Sequence, residues 1–388
     1  EQYSPDASHL NTTDLTATGA GVRLTWVCYD DGPFTDTVNI NGYTTDATHF
    51  ITLTVAGADQ VASGRNQRHD GTPDSGVVTR PPVNAGVLVR DDYVVVEWLE
   101  IDGSATSGSN GLDVNTEGTG GLFRNLLVHD FQGGAAKCVY VNTTGNELRN
   151  SIVYSCLTGL NISADGNTFH NLTVYENDWG VTIADGTTSS VVENVIAVGA
   201  TSADFREVTS GSFSTFNNNL SQDLSAASFG GSGNQTGALP GRLFADATAY
   251  DLHLTAGAAA LDAGRDLSGS FTDDIDGATR FGTWDVGADE YVPGVVYSVG
   301  ISTLDLKTGA PTIAISDGIA TLSVAQTGSM GVGDEIDYDS PSKTAYVAAV
   351  QTETQLTVRK ATGQPDPDTS AVTVNSIKRA FNSIGDAV

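Results

Sequence analysis

LFRNLLVHDF at 122–131 lies in register over ELRNSIVYSC at 147–156, TFHNLTVYEN at 168–177 and VVENVIAVGA at 191–200. Each segment carries an asparagine at its fourth position, followed by an apolar run that reads as a strand. The asparagines are Asn125, Asn150, Asn171 and Asn194, spaced by 25, 21 and 23 residues, and Asn219 in FNNNLSQ adds a further step of 25. A repeat of this length is one coil of a solenoid whose coils cannot close a core alone and must stack.

An earlier strand belongs to each coil: GLDVNT at 111–116, VYVNTT at 139–144, LNISAD at 160–165 and VTIADG at 181–186. Glycine-bearing turns separate the pair. Stacking then places Val114, Val141, Ile162 and Ile183 in line along the axis, so burial accumulates with every added coil. The asparagines read as a ladder at a bend, each amide donating to one neighbouring coil and accepting from the other, rather than as an exposed binding row. The expectation is an all-β chain, a right-handed parallel β-helix over residues 1–293.

Beyond residue 293 the coil pattern stops, and TIAISDG, ATLSVA, DEIDYD, TAYVAAVQ, QLTVRKA and AVTVNSI follow a different rhythm. Residues 294–388 are expected to form a small antiparallel β-barrel or sandwich. In the closing NSIKRAFNSIGDAV, Ile377, Ala380, Phe381 and Ile384 fall at helical spacing and predict a short amphipathic helix. Residues 1–19 are polar and offer no cap for the first coil, so that helix is expected either to cover the first coil of another copy, building a head-to-tail fibre or a tandem-repeat surface protein, or to fold onto its own module.

Composition narrows the partners. Forty-seven acidic against 18 basic residues give a formal charge of −29, which repels nucleic acid and anionic lipid. No stretch is long and apolar enough to span a bilayer, and the chain from Glu1 lacks the regions of a signal peptide, as expected of a mature or excised piece. Cys28, Cys138 and Cys156 show no metal or redox spacing. Their expected role is that of small buried hydrophobes.

The coil pattern, together with ALDAGRDLSGSFTDDIDGATRFGTWDVGADEY at 260–291, resembles the right-handed parallel β-helix repeat proteins of the pectate-lyase-like superfamily, secreted or cell-surface type. The resemblance implies a secreted or surface location and leaves two classes of function open, scaffold or adhesin on one side and polysaccharide lyase or glycoside hydrolase on the other. The 260–291 segment is expected to cover the end coil, with Arg280 pairing to Asp276 or Asp285 and Trp284 and Tyr291 supplying apolar cover. Its Asp274, Asp276, Asp285 and Asp289 are the oxygens that would take calcium.

Aligning the coils on their asparagines sets His129, Tyr154 and Tyr175 in one column and Asp130, Ser155 and Glu176 in the next, with Asp178 and Trp179 close by. Aromatic rings interleaved with carboxylates suit a polysaccharide. No lysine or arginine shares these columns, so the residues point to binding, adhesion or structure before catalysis.

Overall fold

The computed structural model describes all residues except 1–11, 83–84, 107–108, 116, 293, 295, 302, 317, 329, 362, 364–365 and 385–388. Two compact units divide it, Glu1–Glu290 and Tyr291–Val388. Residue 293, the expected boundary, lies outside the described residues.

The first unit is a parallel β-helix. Its strands alternate between a twelve-stranded sheet, called sheet 1 here, and a seven-stranded sheet 2. Central coils run Lys137–Val141 in sheet 2, Glu147–Tyr154 in sheet 1, Thr158–Ile162, Thr168–Tyr175, Trp179–Ile183 and Ser190–Val198. Every pairing between these coils is parallel. In sheet 2, Val114, Val141, Ile162 and Ile183 stand in register, each at most 1% exposed. Period-two alternation drives this: the aliphatics turn inward and the residues between them outward.

The sheet 1 strands bend at the asparagines, where Asn125, Asn150, Asn171 and Asn194 have φ of 51, 45, 52 and 57°. Asparagine tolerates this left-handed geometry better than most side chains. Pairing of Glu193 with Asn217 and Ile196 with Leu220 makes Asn218, with φ 51°, the next member of the column. Asn219, the expected member, sits one place further on and is buried, accepting from the Val195 N–H and donating to the Val192 carbonyl. The run of three asparagines hid the difference.

The column is not mainly a coil-to-coil ladder. Among the described residues one contact joins two column asparagines, Asn194 donating to Asn171 Oδ1 at 2.9 Å. Asn150, Asn194 and Asn218 donate to the carbonyls of Asp273, Arg265 and Ala263, and Asn125 to those of Asp274 and Ile275. The 260–291 segment therefore does not close the end coil as expected. It runs back along the side of the β-helix and docks on the asparagines, because a left-handed bend turns the amide outward, where only a second segment can meet it.

Arg280 is buried, paired with Glu290 at 3.2 Å, and donates to the carbonyls of Gly287 and Ala288 at 2.9 and 2.7 Å. It also reaches Asp285, the expected partner, through that residue's main-chain carbonyl. Trp284 is buried within the segment, whereas Tyr291 belongs to the second unit. Gly287, at φ 107°, crosses so close to sheet 1 that a Cβ there would fall 2.7 Å from Ile196 Cδ1.

At the first coil the described residues cover the core in part, with Leu24, Trp26 and Cys28 only partly buried. Leu15 is fully buried in the core, tied by its N–H to the Thr44 carbonyl, and Val22 packs beside it. At the other end Phe205, Phe213, Phe216 and Phe229 form edge and tilted contacts at 4.8 to 5.6 Å. Cys138 and Cys156 do not remain separate thiols but form a disulfide in the core.

The second unit is a closed six-stranded antiparallel barrel. Its core comprises Ile313, Ile336, Tyr338, Val347, Val358 and neighbours. Where Ile377 is expected to open a C-terminal helix, Thr369–Lys378 is a strand that pairs with Thr312–Ser316 and Glu335–Tyr338 to close the barrel, and residues 379–383 are not helical. Ile377 points into the barrel core, Phe381 bridges to Val299, and Ile384 is 75% exposed. Ala380 is half-buried, its N–H donating to Ser298 Oγ; residues 385–388 lie outside the described residues. Barrel closure supplies two hydrogen-bonded neighbours that the helical spacing could not offer. The head-to-tail arrangement thus loses the free helix on which it was founded.

Candidate functional site

Sheet 1 sets His129 beside Tyr154 and Tyr154 beside Tyr175, the expected column on its outer face. His129 stacks on Tyr154 at 4.5 Å and Tyr154 on Tyr250 at 4.3 Å. Tyr250 belongs to the turn between Phe244–Asp246 and Asp251–Leu254, a strand pair laid over this face. His129, Tyr154 and Tyr175 are consequently 4, 2 and 9% exposed. They are roofed by the chain itself and present no stacking platform to a sugar, a correction to the expected site. The roof joins positions about a hundred residues apart, as in the 2.9 Å contact of Ser155 Oγ with Tyr250 Oη.

Beneath the roof lies a charged network. His129 faces Asp130 at 2.8 Å through Nδ1 and Glu100 at 3.0 Å through Nε2, while Asp102 pairs with Arg80. Burial works to lower the His129 pKa, but the hydrogen bonds it donates to Asp130 and Glu100 and the charges of Glu100 and Asp102 outweigh it and raise it to about 9. A folded-state pKa raised above the unfolded value means this network stabilises fully below pH ~6.5, and its contribution is lost as pH climbs through about 9. Urea melts between pH 6 and 10 are expected to show that decline, with a shallower slope in His129→Gln. An equal slope in both proteins would remove His129 as the cause.

The acidic residues of 260–291 separate into different settings. Asp276 and Asp289 converge with His253, one ligand atom from each lying within 4.8 Å of the others. Asp274 is buried and accepts the N–H groups of Asp276 and Ala278, with burial and the charges of Asp276 and Asp289 lifting its pKa to about 7. Asp285 is elsewhere, its Oδ1 taking the Asp262 N–H at 2.7 Å. His253, in the strand Asp251–Leu254, escaped the sequence reading; the alternation in YDLHLT was the available signal.

Asp178 and Trp179 stand outside the roof, where the chain turns from sheet 1 to sheet 2, and exposed Glu176 stands at its edge beside Tyr250. Glu176 and Asp178 line a recess of about 280 Å³ with Gln132, Asn177 and Thr201. Trp179 opens a sheet 2 strand, half-buried, and the Arg206 guanidinium lies 3.8 Å above its ring.

Sheet 2 is the face with an open trough. Its outward residues stack as Asn39, Leu88, Asp113, Tyr140, Asn161, Thr182 and Arg206, with Lys137, Thr158 and Trp179 in a flanking column. A depression of about 650 Å³ is lined by Asn39, Asn110, Asp113 and Lys137 among others. Lys137 Nζ sits 4.8 Å over the Tyr140 ring, and burial pushes its pKa below the usual lysine value. Arg90 and Asn110 hold Asp113 at 3.1 and 2.9 Å. Of this face the sequence pointed to Trp179 alone, although Tyr140 in VYVNTT, Asn161 in LNISAD and Thr182 in VTIADG alternate with the inward aliphatics.

Fold and faces together place the chain among parallel β-helix proteins. Among solved structures it is similar to the crystal structure of pectate lyase Pel9A, with a TM-score of 0.36 and 13% identity, covering 69% of this chain and 86% of that chain. No family model matches the chain, and no curated protein matches it.

Proposed function

We propose that the chain is a carbohydrate-binding adhesive module of a secreted or surface protein, holding polysaccharide along the outer face of sheet 2. The observation that carries this reading is the trough on that face, lined by Asn39, Asn110, Asp113 and Lys137, with the half-buried rings of Tyr140 under Lys137 and of Trp179 under Arg206 further along the same sheet, while residues 240–290 roof sheet 1. Rings offer flat apolar surface to sugar faces, and the amides answer hydroxyls. The buried disulfide supports an oxidising, extracytoplasmic setting. With a net charge of −29, the ligand that reaches this face most readily is neutral or sparsely charged.

Lys137 favours a second reading. A lysine of lowered pKa beside an open trough is the kind of group that abstracts a proton in a polysaccharide lyase. Asp113 is the one carboxylate lining the trough among the described residues, so the pair a glycoside hydrolase requires is not assembled there. A glycan array followed by titration tests both readings. Trp179→Ala and Tyr140→Ala are each expected to weaken the best ligand roughly tenfold or more, with no unsaturated product formed. Unchanged binding in both variants would refute the assignment of the face. Product that forms with the native chain and disappears in Lys137→Met would establish the lyase.

A further inference from the structure

Asp289 is an acid out of balance with its surroundings. It is 5% exposed, the Leu254 N–H at 2.7 Å is the one donor to its carboxylate among the described residues, and no arginine, lysine or histidine stands within ion-pair distance. Arg280 nearby donates to the Asp289 main-chain carbonyl, not to its side chain. A carboxylate this buried with one hydrogen bond is stabilised by positive charge nearby, and the charges of His253 and Arg280 already act on it in that sense, which marks the place where a cation would be held.

Facing it are His253 and Asp276. Asp251 accepts from His253 Nδ1 at 2.6 Å, which directs Nε2 toward Asp276, 3.2 Å away. A carboxylate on the far nitrogen is how metal-bound histidines are oriented. The chain also leaves room at this point: a Cβ on Gly71 would fall 2.7 Å from His253 Nε2 and 2.9 Å from Asp276 Oδ1, so only a hydrogen covers the pair. Asp276 is one-third exposed, giving the cluster a path to solvent.

We propose that His253, Asp276 and Asp289 bind a first-row divalent transition metal such as Zn²⁺, with water at the remaining position. One imidazole and two carboxylates form a donor set suited to zinc and its neighbours, whereas calcium takes oxygen alone. The ligand atoms, within 4.8 Å of one another, must draw together to the spacing of roughly 3.4 Å that tetrahedral zinc bonds impose. The metal would clamp the strand Asp251–Leu254 to the 260–290 segment, fixing the roof over sheet 1.

The test is calorimetric titration of the full chain, stripped with chelator, with Zn²⁺ and with Ca²⁺. One zinc per chain is expected, with a rise in melting temperature, and zinc affinity should fall at least ~100-fold in His253→Gln and ~10-fold or more in Asp251→Asn, which keeps all three ligands. The metal-free melting temperature of Asp251→Asn, close to that of the native chain, separates a binding defect from misfolding. The rival is a plain His253–Asp276 ion pair. Absence of stoichiometric zinc, equal zinc binding in native and variant chains, or calcium bound more tightly than zinc would each overturn the proposal.

Discussion

Arg280→Ala is expected to lower the stability of the β-helix unit by about 3 kcal/mol or more, read as a shift of the urea midpoint. The Arg280 guanidinium is fully buried and serves Glu290 together with the carbonyls of Asp273, Gly287 and Ala288. Truncation leaves the Glu290 carboxylate buried without its counter-charge, held by the Asp285 and Phe281 N–H groups alone, and an unpaired buried charge costs several times what a lost surface contact does. Arg280→Lys restores little, because a point charge cannot fork across neighbouring carbonyls. Arg265→Ala is the control. Its side chain is half exposed although it reaches Glu193 at 2.6 Å, and the expected loss is about 1 kcal/mol or less. Equal effects from the two alanines would mean that the return segment is not locked through Arg280.

Breaking the Cys138–Cys156 disulfide ranks next. It closes a loop of sequence separation 18, for which chain entropy alone gives about 3 kcal/mol. Both sulfurs lie in the core, so replacement by serine would also bury hydroxyls; the double Cys→Ala variant gives the cleaner comparison. A melting temperature unchanged by that variant, or by reductant under conditions that free both thiols, would contradict a structural bridge. Cys28 lies apart, half-buried, with burial raising its thiol pKa.

What was legible in the sequence is local and periodic. Val114, Val141, Ile162 and Ile183 announce their alignment because side chains alternate along every strand and coils repeat at nearly constant length. The same periodicity found the His129, Tyr154 and Tyr175 column, but not its burial. The roof that covers it comes from Tyr250, and the docking of Asn150 on the Asp273 carbonyl spans 123 residues. No repeat connects those positions, and no alternation foretells such a contact. Misreading Ile377 has a similar origin: its spacing to Ala380 and Phe381 fits a helix as well as a strand ending in a turn, and barrel closure decides between them. The disulfide escaped because its partners are separated by less than one coil, out of step with the repeat.

The faces of sheets 1 and 2 make opposite demands on solvent, and hydroxyl-radical footprinting reads both at once, with and without a bound polysaccharide from the array. In the free chain Tyr140 and Trp179 should label while Tyr154 stays protected, and ligand should suppress labelling at Tyr140 and Trp179 alone. Labelling of Tyr154 in the free chain, or ligand protection confined to sheet 1 with Tyr140 and Trp179 unchanged, would contradict a roofed sheet 1 and a polysaccharide-binding sheet 2.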